Sequence, residues 1–199
     1  FRGKNMAVVS RCDNPCRTFD LDRYFEIDTN NDNEFLYNMF KCYAQAKEIH
    51  DEWETIYIKN MDFARLDKFC GSIIDKLADF SSTFGEGKTY KRFFGTVTPL
   101  ENVNFISDLT ENIQKRYFIK GRPGTGKSTF LKKLSATLKE KNFDVEEYYC
   151  SFDSNSLDMV ICRELSLCVF DSTPPHEKFP QRETDEILDF YVESGLSGI

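Results

Sequence analysis

The sequence predicts an α/β fold: a parallel sheet covered by helices, preceded by an antiparallel helical hairpin. Three observations carry this. From Tyr117 onward, apolar strand-like runs alternate with helical patterns. A glycine-rich octapeptide, Gly121 to Ser128, sits where the first of those strands meets the first helix. Upstream, residues 34–80 carry two apolar stripes at helical spacing.

Residues 1–33 form an irregular, polar segment. Asp28, Asn30 and Asp32 are spaced as in a calcium loop, but Asn33 stands where glycine is needed and Met39 where a bidentate Glu is needed. A turn leading into a helix is the expectation. Cys12 and Cys16 lack a second pair or a nearby His, so no zinc site is expected there.

Residues 34–87 read as the helical hairpin. Leu36, Met39, Tyr43, Ala46, His50, Trp53 and Tyr57 make one stripe; Phe63, Leu66, Cys70, Ile73, Leu77 and Phe80 make the other. Lys59 to Met61 turn the chain, and Asp62 is placed to cap the second helix. His50 falls on the stripe without an acid or cysteine cluster, which marks it as a packed histidine. The hairpin is the surface offered to a protein partner.

Residues 88–116 read as a connector, with a short strand at 102–105 and a short helical segment from Ser107. Its Lys88, Lys91 and Arg92 interleave with Tyr90, Phe93 and Phe94, as in a phosphate-facing surface. A solvated edge is the simpler reading, because the chain carries a net charge of −7. Nucleic acid is therefore not an expected partner. No apolar run reaches the length of a membrane span. Seven Cys without a disulfide-like pattern point to a reducing, cytoplasmic setting.

Residues 117–199 hold the chemistry. Gly121-Arg122-Pro123-Gly124-Thr125-Gly126-Lys127-Ser128 fits G-x-x-x-x-G-K-[ST] in full, with Thr129 following. Glycines let the loop take positive φ and wrap an anion closely, and backbone N–H groups at a helix N-terminus supply positive potential. Lys127 is placed to reach the β and γ phosphates, and Ser128 to ligate Mg²⁺. The context is a strand before (Tyr117 to Lys120) and an amphipathic helix after (Ser128 to Lys141). Together these specify a nucleoside triphosphate site of the P-loop type.

A second strand is read at Asp144–Cys150, a short helix at 154–163, and a third strand at Leu165–Phe170. Asp171, at the end of that strand, is placed as a Walker B acid holding magnesium. Asp153 follows the second strand, either positioning a water or substrate or capping a turn. His176 and Glu177 follow a Pro174-Pro175 turn, where His176 either polarises water or belongs to a surface pair. No N-K-x-D guanine-reading stretch occurs, which favours ATP. Ser172 stands where many ATPases carry a catalytic Glu. Only three strands are legible after Tyr117, followed by one helix near Glu183–Glu193. The core thus reads as truncated, in keeping with a start at Phe1.

The chain resembles a family of uncharacterised bacterial P-loop ATPases built as two tandem halves. The likeness rests on Tyr117 to Thr129, Asp144-Val-Glu146, Asp171-Ser-Thr-Pro-Pro-His176, His50-Asp-Glu-Trp-Glu54 and Met61-Asp-Phe63. Pro174-Pro175 departs mildly from the family pattern, which has Ala before the Pro. The resemblance implies that residues 34–80 are the helical tail of a first half and that residues 100–199 open a second. It implies ATPase activity with no named substrate. The alternatives are a small-molecule or nucleoside kinase, in which Asp153 orients an acceptor hydroxyl, and a non-catalytic module switched by ATP.

Overall fold

A computed structural model of the chain describes residues 34–79, 81–82, 85–97 and 102–196. The calcium-like run at Asp28 and the Cys12/Cys16 pair lie outside them. Helix α1 (Glu34–Ile58) and helix α2 (Phe63–Leu77) come first. Strands β1 (Thr89–Phe93), β2 (Gly95–Val97) and β3 (Asn102–Asn104) follow, then helix α3 (Ile106–Leu109). The remainder is β4 (Lys115–Lys120), α4 (Lys127–Glu140), β5 (Val145–Tyr149), β6 (Leu157–Cys162), β7 (Leu167–Asp171), β8 (Asp185–Asp189) and α5 (Phe190–Glu193).

The result is an α/β fold on a six-stranded sheet, in the order β1-β5-β6-β7-β4-β8, with β2 and β3 forming a separate antiparallel ribbon. The sheet is mixed. All neighbours run parallel except β6, which is antiparallel to both β5 and β7. Four expectations are thereby corrected.

The helix read at 154–163 is strand β6, its six residues all buried. A run buried on both faces carries no periodicity to separate strand from helix, and the β-branched pair Val160-Ile161 favours the strand. The third strand starts at Leu167, because Arg163–Ser166 form the turn of a β6–β7 hairpin, with Ser166 at φ 48°. The helix read at 183–193 is β8 followed by the single turn α5. The core does not stop at three strands, since β1 enters the sheet from the stretch read as a connector and β6 and β8 complete the six.

One face of the sheet packs under α4 and α2. Leu131, Leu134 and Leu138 of α4, with Leu66 and Cys70 of α2, meet Tyr117, Ile119, Val160 and Val169. On the other face Phe94, Ile106 and Ile113 cover Phe118, Met159 and Phe170. A polar tie joins α4 to β5, where buried Glu147 accepts from Ser135 Oγ at 2.6 Å and from the Tyr149 hydroxyl at 2.9 Å.

The hairpin takes a different form from the one expected. Asp62 does cap α2, accepting from Arg65 N–H at 3.0 Å, and its own N–H donates to Ser194 O at 2.9 Å. α2 packs on α4 and α5 through Leu66, Cys70 and Leu77. α1 does not join that core. Its Ile49, Trp53 and Ile56 are exposed, while Tyr43, Lys47, His50 and Glu54 face inward. The inward residues are polar or aromatic, and they meet two loops rather than a neighbouring helix. No helix among the described residues is long and apolar enough to cross a membrane.

Candidate phosphate-binding site

The glycine-rich loop leaves β4 and enters α4, as the motif requires. Gly124 (φ 77°) and Gly126 (φ 82°) occupy the left-handed region, with Gly126 the N-terminal cap of α4. Gly121 does not use positive φ. It is glycine because of crowding: a Cβ there would lie 2.6 Å from Thr125 Oγ1 and 3.1 Å from Phe190 Cβ.

Three donors converge on one oxygen, the carbonyl of Arg122. It accepts from Thr125 Oγ1 at 2.7 Å, Lys127 Nζ at 2.9 Å and Thr125 N–H at 3.3 Å. Lys127 is buried, and its ammonium also lies 3.6 Å from Asp171 Oδ2. The Asp171 carboxylate is oriented by Thr173, whose Oγ1 donates to Oδ1 at 2.7 Å and whose N–H does so at 3.1 Å. Ile119 of β4 pairs with Asp171 of β7. Adjacent parallel strands thus deliver the loop and the acid to the same edge. Arg122 is exposed, its guanidinium 5.8 Å from the Tyr191 ring, and Thr129 is exposed on the first turn of α4.

Asp158 is the residue that sequence reasoning missed. Because β6 runs antiparallel, its beginning lies at the edge where β7 ends. Met159 pairs with Phe170, so Asp158 and Asp171 are the next positions out. Asp158 is buried, and its Oδ1 accepts from Ser156 Oγ at 3.2 Å. Burial, and secondarily the Asp171 charge, push its carboxyl up to about 7. Beside it, Leu157 N–H donates to Ser128 Oγ at 2.9 Å, fixing the loop serine against the head of β6.

His176 also arrives here. Its Nε2 lies 3.8 Å from Asp158 Oδ2, and its ring stacks edge-on against Phe94 at 4.7 Å. Burial and Lys127 hold its imidazole below the usual value against the opposing pull of Asp171, which keeps it neutral at pH 7. Glu177 turns away, pairing with Lys120 at 3.1 Å. Ser172 is buried and spends its hydroxyl on the same loop, donating to Lys178 O at 2.6 Å and accepting from Lys178 N–H at 3.0 Å.

Asp153 is not brought to this group by any described contact. Its Oδ1 accepts from Asn155 N–H at 2.9 Å, closing the β5–β6 turn, and its Oδ2 lies 3.4 Å from Lys47 Nζ on α1. His50 packs edge-on against Phe152 as a histidine of the apolar stripe would, but Asp51 and Glu54, its neighbours at i+1 and i+4 on α1, lie within 4.8 Å of it, so it is not without acidic company as expected. Compared with known proteins, the chain matches no family model, no curated protein and no solved structure.

Asp171 was legible as an acid ending an apolar strand. Asp158 had only one sequence signal, an acid at the head of an otherwise apolar hexapeptide, Leu157 to Cys162. Such an acid is buried if the run is a strand, and partnered by whatever charge the next strand supplies.

Proposed function

We propose that the chain binds Mg·ATP at the head of α4 and hydrolyses it as a P-loop ATPase. The observation that carries this reading is the meeting of Lys127 with Asp171 beneath a loop whose Gly124 and Gly126 adopt left-handed backbone. In this reading Lys127 exchanges the Arg122 carbonyl for phosphate oxygens, and the N–H groups at the start of α4 hold the rest of the charge.

The donor set fits magnesium. Asp171, Asp158 and the Ser128 hydroxyl are hard oxygens, and two carboxylates so near each other are relieved by a cation. Magnesium, when bound, neutralises charge on the β and γ phosphates. Neutral His176, beside Asp158, orients the attacking water, a task Ser172 cannot take because its hydroxyl is committed to Lys178. The kinase alternative drew on Asp153, whose carboxylate is engaged by Asn155 and Lys47. The likeness to tandem P-loop ATPases belongs to this same reading.

Lys127→Ala is expected to abolish Mg·ATP binding measured by calorimetry while leaving the melting temperature within a few degrees; unchanged affinity refutes the reading. Asp171→Asn is expected to move the magnesium titration of ATP turnover to higher concentration by about tenfold or more. An unaltered titration removes Asp171 from the site.

A further inference from the structure

Helix α1 lies across the outside of the phosphate loop. A Cβ on Gly124 would come within 2.8 Å of the Glu54 carbonyl oxygen and 3.1 Å of Ile58 Cγ1, so the last turns of α1 touch the loop backbone itself. One to three turns earlier the same helix is tied to the β5–β6 turn. Lys47 pairs with Asp153 at 3.4 Å, and Tyr43 and His50 pack on the Phe152 ring at centroid distances of 6.2 and 6.3 Å. That turn leads into Leu157 and Asp158, so α1 bridges the loops on both sides of the site.

Its orientation is the wrong one for a helix that assists an anion. The carbonyl end of α1 abuts the loop, Glu54 lies in that region, and the last turn has no basic residue. The negative end of a helix dipole opposes a triphosphate placed nearby. The attachment is also slight. Ile49 and Ile56 are more than half exposed, so little apolar area is lost when α1 lifts. The turn from Lys59 to Met61 can hinge, while Asp62 N–H, bonded to Ser194 O, keeps the start of α2 in place.

We propose that α1 is an autoinhibitory strap, which holds the phosphate loop in its self-bonded form and is displaced when Mg·nucleotide binds. The proposal rests on the nucleotide reading above and adds regulation to it. Linkage makes it testable from either side: if nucleotide loosens α1, loosening α1 tightens nucleotide.

The experiment uses the full chain with Mg·ATP as the probe, comparing wild type with Lys47→Ala and Phe152→Ala. Both side chains lie outside the core. The expected result is affinity about two- to fivefold tighter in each variant, the range of a partly exposed contact. Hydrogen exchange should show Mg·ATP protecting 121–129 while speeding exchange over 43–58. Binding by the variants but not by wild type supports the strap more strongly still. Unchanged or weaker affinity in both variants, with α1 amides slowed by Mg·ATP, overturns the strap and makes α1 a clamp instead. Absence of binding in all three chains overturns the nucleotide reading, and the strap with it.

Discussion

The carboxylate of Asp158 is costly to the fold. It is buried, and the neighbouring Asp171 charge adds repulsion to the loss of hydration. Its carboxyl is raised from 3.8 to about 7, so the folded state keeps a proton that the unfolded state has already released. Stability from this group therefore falls as pH rises from about 4 to about 7, and the penalty is fully present above that. Asp158→Asn is expected to raise stability at pH 8 by about 1–3 kcal/mol, with the gain vanishing near pH 4, in parallel denaturant melts. The same variant should weaken magnesium-dependent nucleotide binding, and a variant that gains stability without that loss argues against Asp158 at the site. The octapeptide was readable because all its constraints lie in consecutive residues. Asp158 was not, because the charge that defines it belongs to a strand paired with its own.

At the scale of elements, sequence pattern succeeded where one face of an element is wet and failed where no period shows. α4 shows Leu131, Leu134 and Leu138 on one side and was placed to within a residue. β6 is buried throughout, and β8, Asp185-Glu-Ile-Leu-Asp189, has only Leu188 buried and so shows no alternation. β8 is held by a side-chain fork: Arg116 donates to Asp185 at 2.8 and 2.6 Å, from a neighbouring strand. Burial opposes the Asp185 charge. The Arg116 bonds, with N–H groups of Gln181 and Arg182, outweigh it and hold the carboxyl down to about 2. The contribution is present above about pH 4 and lost as pH falls towards 2. Asp185→Asn is expected to cost about 2–3 kcal/mol at pH 7, and much less at pH 2.5, by urea titration at both values. An equal cost at the two pH values would mean that the amide is misplaced for reasons other than charge.

Across the whole molecule, stability is unevenly distributed. The sheet and α4 share one core, whereas α1 contributes a polar face and a few ring contacts. Without nucleotide, amides of α1 are expected to exchange by local opening, at least about a hundredfold faster than those of α4 and β7, in native-state hydrogen exchange. Uniform protection would show α1 to be part of the cooperative unit. Among the described residues, the sheet ends in two edge strands. β1 carries Lys91 and Arg92, and β8 carries Glu186 and Asp189, its Asp185 being buried against Arg116. Edge strands invite a second chain to extend the sheet. Two β1 rims meeting face to face would set cation against cation, and two β8 rims acid against acid. Each rim therefore discourages its own mirror image.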